Sequence, residues 1–571
     1  MDEQLRNRIQ TAAEVSALVN AIKHESDAKV DAVIGPLMGD HPEFREYGDE
    51  IPEIIAPVVD KVNSLSQQEK RQRLEELAPD KLEEIESETE EESTPLPELP
   101  NADDYDEIRM RLAPNPNGPY HIGHARMPSV IGTYKEMYDG WFCCRFDDTD
   151  PETKRPNLDA YDDILSDIAY LGFEPDEVYR ASDRLDIYYE HARNLIKQGG
   201  AYTCSCAGEE FSELKRVGEP CPHRDKETSQ TLAEFEDMIA GEYNAGDMVL
   251  RVKTEITHDN PAVRDWVAFR MVDTPHPRPA AKGYSCWPML DFQSGIDDHL
   301  TGVTHIIRGI DLQDSARRQQ FVYDYFDWDY PEVLHWGHVQ VDAYDVKMST
   351  SRIRELIEKG KLTGWDDPRA PTIQSLRKRG IRGQAIVDAM IELGMSTSNV
   401  DLAMSSIYAN NREIIDDIAN RRFLVQDPVE LPINDGPKTG TPPLHPEREE
   451  LGNRTIPVQD RILIESDDLP SAGEKRWLKG YGCVKYDGTS LTVTDDSITV
   501  VRDGDVPVIH WVPADDYVDV KLWTIDGKQQ GYAEPGLRNE SVDAMVQFER
   551  VGFARLDIVS DEQVIAYFAH Q

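Results

Sequence analysis

Residues 108–138 leave this chain few choices of fold. Ile108, Met110 and Leu112 alternate with Arg109 and Arg111, the period of a strand with one buried face. Pro114, Pro116, Gly118 and Pro119 then exclude any regular element. From Ile122 onward, Ala125, Val130, Ile131, Tyr134 and Met137/Tyr138 recur at helical spacing. Strand, rigid loop and helix in that order open an α/β layer architecture. His121-Ile122-Gly123-His124 falls where the helix begins. A helix start offers unpaired N–H groups and a positive dipole end, which suit phosphate. Gly123 permits close backbone approach, and two imidazoles can donate to oxygens gathering charge in a transition state.

The alternation continues downstream. Trp141 to Pro151 is an apolar run that ends in acids, the place where α/β sheets put ligands. Helices are expected over Asp159–Leu171 and Asp183–Gln198, with strand texture over Met248–Val252, Trp266–Val272, Val303–Ile307 and His335–Val341. Cys204-Ser-Cys206 and Cys221-Pro-His223 offer three thiolates and an imidazole at a spacing that can close a structural, tetrahedral Zn²⁺ site. Upstream, residues 1–79 read as a helical appendage. Ile9, Ala12/Ala13, Val15, Leu18 and Ile22 form its first apolar stripe, Gly35-Pro36 and Gly39–Pro42 a break, and Ile51–Leu77 a second helical stretch. Residues 80–104 read as an acidic, disordered linker: Asp80–Glu107 holds thirteen acids against Lys81 alone. Two helices are expected between Gly380 and Leu424, burying Ile386, Met390, Leu393, Ile414, Ile415, Ile418 and Phe423. After Pro428 short alternating runs such as Arg461–Ile464, Leu491–Val493, Ile498–Val501 and Val518–Leu522, parted by Gly, Pro and Asp turns, indicate β-barrels.

Charge bounds the chemistry. The 571 residues carry 61 Lys and Arg against 108 Asp and Glu, a net charge of −47. Such a chain repels nucleic acid unless salt screens it, and at molar salt the screening length falls to about 3 Å. Acids spread through every region point to a salt-accumulating halophile. One segment runs the other way. Asp345–Gln384 holds ten basic residues and five acids, an island that suggests a surface for a polyanion. No window approaches a membrane span and no leader pattern opens the chain, so a cytoplasmic protein with no membrane partner is expected. Seven cysteines, an odd number and partly clustered, suit a reducing compartment.

The word Arg111–His124, together with Lys347-Met348-Ser349-Thr350-Ser351, resembles the two signatures of class I aminoacyl-tRNA synthetases. The surrounding words narrow the likeness to the glutamyl/glutaminyl branch, nearest its archaeal-type glutamyl members, from about residue 105 to the C-terminus. The resemblance implies a Rossmann-like catalytic domain over 105–344, with an acceptor-binding zinc insert at about 200–282. It further implies a signature loop and helical connection over 345–427 and a β-barrel anticodon-binding region over 428–571. It implies catalysis by His121, His124 and Lys347, and ATP binding, with Mg²⁺, at Pro114, Asn117, Gly118, His121, Gly123, His124, Lys347, Met348 and Ser349. Glutamate would be held by Arg111 and Arg308 through its side-chain carboxylate and by Asp147 through its ammonium. A guanidinium matches a carboxylate bidentately, whereas a neutral amide would leave it unpaired. Arg308 therefore argues for glutamate over glutamine.

Two positions depart from the family pattern. Leu290 stands where a tyrosine is expected, with Tyr284 or Trp287 available to compensate. Thr350 stands where a second lysine is expected, which leaves the work to Lys347 with magnesium or Arg352. Met395-Ser-Thr-Ser398 repeats the signature letters, but Gly394 replaces the lysine, and it reads as a helix-capping turn. The expected reaction is glutamate–tRNA ligation by a monomer, on tRNA(Glu) and, in the relaxed form, also on tRNA(Gln). The alternatives are a glutaminyl enzyme, which Arg308 opposes, a truncated relative that modifies a tRNA base, which lacks the barrels, and an inactive RNA-binding paralogue.

Overall fold

The computed structural model describes residues 3–23, 28–40, 44, 47, 51–65, 67–79, 81–82, 96–341, 344, 349–504 and 506–571, in two compact units, Met1–Pro97 and Glu98–Gln571. Lys347 and Met348 of the second signature lie outside the described residues. Among the described residues, no helix is long and apolar enough to cross a membrane.

The first unit is helical: Glu3–Lys23, Val30–Asp40, Ile51–Asn63 and Gln67–Leu77. Ile9, Ala13, Leu18 and Ile22 of the first helix are buried against Val33, Leu37, Ile55 and Val59, and Ala12 and Val15 pack at the margin. The expected break at Gly35-Pro36 does not occur; the helix runs through both and ends at Asp40. The Asn63 side chain ties the third helix to the backbone of Ala28, accepting from its N–H at 2.8 Å and donating to its carbonyl at 3.0 Å.

The second unit starts earlier than the acidic composition suggests. Residues 98–104 are packed rather than loose: the Leu99 N–H donates to the Tyr138 hydroxyl (2.9 Å) and His305 Nε2 lies 2.8 Å from the Pro100 carbonyl. Strands β1 (Arg109–Leu112), β2 (Trp141–Phe146) and β3 (Glu177–Arg180) form a parallel sheet with Arg111 opposite Cys143. An antiparallel insert follows: β4 (Ala201–Cys204), β5 (Val249–Val252), β6 (Val267–Met271) and β7 (Cys286–Pro288). Its last strand lies beyond residue 282. Strands β8 (His305–Gly309) and β9 (Glu332–Trp336) resume the parallel pattern.

Thr304 donates its N–H to the Arg109 carbonyl (2.8 Å) and accepts the Arg109 N–H on its hydroxyl (2.9 Å). β8 therefore flanks β1 on the side away from β2. The order β3-β2-β1-β8-β9 reverses between β1 and β8, and such a switch point opens a crevice at the strands' C-terminal ends. Arg111 and Arg308 stand at those two ends.

Residues 419–571 form two seven-stranded sheets, each with its own core, around Trp511 and Ile462 in one and Val520, Phe548 and Ala566 in the other. One expected strand is absent. Ile498–Val501 leads into a single helical turn, Thr499–Arg502, with Ile498 42% exposed. β-branched residues favour strands only where a neighbouring strand and a core receive them, and none does here. In the connecting region Ile386, Met390, Ile415 and Phe423 are buried as expected, but Ile414 and Ile418 are exposed because the helix Met404–Ile415 ends there. Met395–Ser398 follows the C-terminus of the helix Gly383–Glu392. The repeated letters thus lie in a turn past the helix end, and the Gly394 carbonyl beside them accepts from Arg126 Nη2 at 2.5 Å.

Candidate active site and metal centre

The first signature folds as a clamped loop. The Tyr120 N–H donates to Asp167 (2.9 Å) on the helix Ala160–Tyr170, and the Ile373 N–H donates back to the Tyr120 carbonyl (3.1 Å). The helix does not start directly at His121. A 3₁₀ turn, Ile122–Ala125, precedes the α-helix Arg126–Tyr138. Two of the amides expected to face phosphate are already engaged, Ile122 N–H by the Pro371 carbonyl and His124 N–H by the His121 carbonyl. What remains for chemistry is the pair of rings. His121 and His124 stack with centroids 3.6 Å apart, and each has a buried Nδ1 without a partner among the described residues.

Burial pushes His121 down to about 4, and burial together with the neighbouring ring pushes His124 well below its ordinary value. Both are neutral donors at physiological pH. Because the folded value lies below the unfolded value of about 6.5, these rings favour the fold above pH 6.5 and lose that contribution as pH falls toward 4. The pH profile of kcat/KM should therefore show no histidine step near 6.5. A step near neutrality belongs instead to Asp167, whose carboxyl burial pushes up to about 7, and Asp167→Asn should remove it. A step near 6.5 that survives Asp167→Asn and vanishes in His121→Asn would contradict this assignment.

A cavity of about 720 Å³ opens over the loop, lined by Pro114, Asn117, Gly118, His121 and His124 from the first signature and by Ser349, Thr350 and Ser351 from the second. Asp147 and Leu290 also line it. The two signatures close on each other at Gly118, where a Cβ would lie 2.5 Å from Thr350 Cγ2, so only glycine fits. Gly123 sits in the 3₁₀ turn and does not line the cavity. Arg352 is paired with Glu355 at 2.5 Å and does not line it either. Lys154 does, and it has no carboxylate partner among the described residues. Tyr284 and Trp287, the candidates to compensate for Leu290, do not line the cavity. Trp287 is fully buried against His276 in the insert, and Tyr284 packs on the same core.

Beneath the cavity lies a charge cluster that the sequence only half disclosed. Arg111 Nε meets Asp298 Oδ1 at 3.2 Å, and Arg145 bridges Asp147 (2.8 Å) and Asp298 (2.6 Å). Arg184 holds Asp297 at 2.8 Å. Arg145, Asp297 and Asp298 were not foreseen. The adjacent acids Asp297-Asp298 after the apolar Phe292 and Ile296 were the available signal. Asp147 is thus held on one oxygen by Arg145, while its Oδ2 accepts from no described residue. Burial opposes ionisation of Asp298, but the Arg111, Arg145 and Arg308 charges outweigh it and hold the carboxyl below its usual range.

Arg308 is the exception. Only 5% exposed, it has no carboxylate within ion-pair distance among the described residues. Nη1 and Nη2 donate instead to the neutral Gln319 Oε1, at 3.2 and 3.3 Å, while Nε is buried without a partner among the described residues. Burial and the nearby Arg111 charge lower its pKa. Four guanidinium groups, Arg111, Arg145, Arg184 and Arg308, thus face three carboxylates, Asp147, Asp297 and Asp298.

In the insert, Cys204 ends β4, and the sequence-predicted ligands converge. Cys204 and Cys221 Sγ lie 3.8 Å apart, Cys206 Sγ and His223 Nδ1 3.3 Å, and all four donor atoms fall within 4.8 Å of one another. A tetrahedral zinc with sulfur at about 2.3 Å needs sulfur atoms about 3.8 Å apart. His223 Nε2 lies 3.2 Å from the Ser205 hydroxyl, an outer partner that orients the ring. The donor set and its spacing fit zinc.

The basic island is less cationic than its composition. Glu355 pairs with Arg352 and Lys359, Asp367 with Arg369, and Asp366 with Lys378. Arg379 is buried, donating to the Phe568 and Ala569 carbonyls and to the Tyr344 and Tyr408 hydroxyls. Arg377 and Arg382, without carboxylate partners among the described residues, line a second cavity, of about 590 Å³.

The family described as "tRNA synthetases class I (E and Q), catalytic domain" matches residues 107–417, and the anti-codon binding domain of the same enzymes matches 419–502 and 508–557. Relatives named glutamate–tRNA ligase run the full length. That of Natronomonas pharaonis is 66% identical over 570 residues, covering 100% of both chains. That of Haloarcula marismortui is 65% identical over 579 residues, again 100% of both. That of Methanosarcina mazei is 42% identical over 562 residues, 97% of this chain and 98% of the relative.

Proposed function

This chain belongs to the class I tRNA synthetases of the E and Q family, and from that premise we propose an ATP-dependent glutamate–tRNA ligase whose choice of amino acid rests on one buried, uncompensated cation. The α-carboxylate of L-glutamate attacks the α-phosphorus of ATP. The new O–P bond forms as the bridging P–O bond breaks and pyrophosphate leaves. A ribose hydroxyl at the 3′ end of tRNA then attacks the acyl carbon of the adenylate, and AMP leaves. No enzyme nucleophile is required, so catalysis is positioning and electrostatics.

The neutral His121 and His124 donate N–H groups to phosphate oxygens, and Lys347 adds a positive charge from the second signature. Pro114, Asn117, Gly118 and Ser349 shape the nucleotide site, which receives ATP with its Mg²⁺, and the family resemblance assigns Gly123 and Met348 to the same site. Lys154 takes the part that a lysine at position 350 would play. Asp147 offers its unengaged oxygen to the substrate ammonium. Arg308, seconded by Arg111, receives the side-chain carboxylate.

The observation that carries this reading is the charge count of the cluster, four cations to three anions with Arg308 as the odd member. A buried cation without a counterion is costly, and a substrate carboxylate relieves that cost where a neutral amide does not. The test is charging of tRNA(Glu) and tRNA(Gln) with labelled glutamate or glutamine in molar potassium chloride. Glutamate transfer with glutamine ignored is expected, and the tRNA(Gln) lane reads whether the relaxed specificity applies. Glutamine transfer would refute the role of Arg308.

We further assign Arg377 and Arg382 to the inner bend of tRNA, residues 419–571 to its anticodon, and a structural zinc to Cys204, Cys206, Cys221 and His223. When bound, zinc would brace the insert without taking part in the reaction, and the cytoplasm is the compartment that keeps its thiols reduced. Metal analysis should return one zinc per chain. Chelation should expose Cys204, Cys206 and Cys221 to a thiol reagent and weaken tRNA charging. Unchanged thiol reactivity after chelation would contradict the site.

A further inference from the structure

Arg308 is buried in a chain rich in acids, yet the side chain that receives it is an amide. Gln319, 1% exposed on the helix Gln313–Phe326, takes three donors on one oxygen: Arg308 Nη1 and Nη2, and the Tyr330 hydroxyl at 2.6 Å. Its Nε2 donates to the Ser294 hydroxyl (2.7 Å) and to the Asp291 carbonyl (3.2 Å) on the preceding helix. That surrounding network fixes the orientation of the amide. Turned over, it would set an NH₂ against the guanidinium and a carbonyl oxygen against the Asp291 carbonyl. An amide oxygen has two acceptor sites, so three donors oversubscribe it, and the Arg308 hydrogen bonds at 3.2 and 3.3 Å are correspondingly long.

The other three arginines of the cluster each hold an aspartate. A carboxylate at 319 would reach Arg308 at the same distance and neutralise it from within the protein. The amide orients the same two Nη atoms and leaves their charge intact.

We propose that Gln319 is the positioning residue that sets glutamate selectivity, by holding Arg308 in place without cancelling its charge, so that only the substrate carboxylate completes the cluster. The inference rests on the assignment of Arg308 to the glutamate side chain and goes beyond it, since it makes the neutrality of a second residue part of the specificity.

The decisive variant is Gln319→Glu, nearly isosteric and able to accept from the same donors. The measurement is KM and kcat for glutamate in tRNA charging, with a thermal melt on the same preparation. An internal ion pair competes with the substrate, so KM should rise about 100-fold, as expected for losing a buried charge partner. The kcat should stay within about threefold of the parent, because the histidine pair and the nucleotide site are untouched, and the melt should be unchanged or higher. Gln319→Met keeps the charge of Arg308 and loses the orientation, so its KM should lie between parent and Gln319→Glu.

A folded Gln319→Glu protein with a parental KM overturns the proposal. So does Gln319→Met with a KM equal to or above that of Gln319→Glu. If Gln319→Glu does not fold, a parental KM in Gln319→Met overturns it as well. Arg308→Ala separates the two levels. If that variant keeps its glutamate KM, the assignment of Arg308 falls. If it loses glutamate while Gln319→Glu does not, only the role of Gln319 falls.

Discussion

Arg308→Ala is expected to lower kcat/KM for glutamate by about 10³-fold, on the order of 4 kcal/mol of transition-state binding, while the protein melts no earlier than the parent. Both halves follow from the same geometry. The guanidinium has no ionic partner among the described residues, so its removal breaks none of their ion pairs, and Gln319 keeps the Tyr330 hydroxyl as a donor. It also takes a costly cation out of the interior and relieves its repulsion with Arg111. A group that selects substrate by remaining uncompensated should show loss of activity together with retained or increased stability. Arg308→Lys is not a rescue, since an ammonium cannot present two parallel donors to one carboxylate. Saturation kinetics and a melt in molar potassium chloride read both quantities. A fall in stability comparable to the loss of activity would make Arg308 a packing residue instead.

Asp298→Asn is expected to have the largest effect on stability, roughly 3–5 kcal/mol. This carboxylate is fully buried and receives both Arg111 and Arg145 on Oδ1. Neutralising it leaves the cluster with two positive charges more than it can match. The size of the variant side chain hardly changes, so the cost is electrostatic rather than a cavity. Removing one cation as well should relieve it: Asp298→Asn combined with Arg145→Met should melt above Asp298→Asn alone, because the two groups are in direct contact and their effects do not add. A double variant no more stable than the single one would mean that the pair contributes through shape and not through charge. The catalytic unit is large and multidomain, so the shift in melting temperature is the appropriate measure rather than a two-state free energy.

The parts of the site that could be read from the sequence are those written in short words. Cys204, Cys206, Cys221 and His223 were legible because metal-ligand spacing is local, and the fold had only to bring two short pairs together. His121 and His124 were legible because a proline-rich loop before a helix is a local pattern. Arg308 was legible as a charge closing an apolar strand. Arg145 and Gln319 were not: one lies inside a buried strand beside two cysteines, the other among the polar residues of an ordinary helix. How much of the basic island's charge is free was hidden for the same reason. Counting ten basic residues against five acids between 345 and 384 could not show that Glu355, Asp366 and Asp367 pair with four of the cations in space. Arg379, a fifth, is turned inward against carbonyl and hydroxyl oxygens of other segments.

Sequence alone determined the order of strands and helices across the catalytic region, the barrels beyond Pro428, the family and the preference for glutamate. The strands, helices and barrels are expressed in periodicity and turn residues within a few tens of positions, where hydrophobic burial and backbone geometry act on neighbours along the chain. The family and the preference for glutamate came from the resemblance of two short signatures and of Arg308 to known enzymes. The tertiary structure alone decided which charges are compensated. Arg111 and Asp298, or Arg308 and Gln319, have their electrostatic meaning only at separations of about 3 Å across a switch point in the sheet. At that range and in a low dielectric, one hydrogen-bonded partner decides whether a buried charge is neutralised within the protein or left to be met by a substrate.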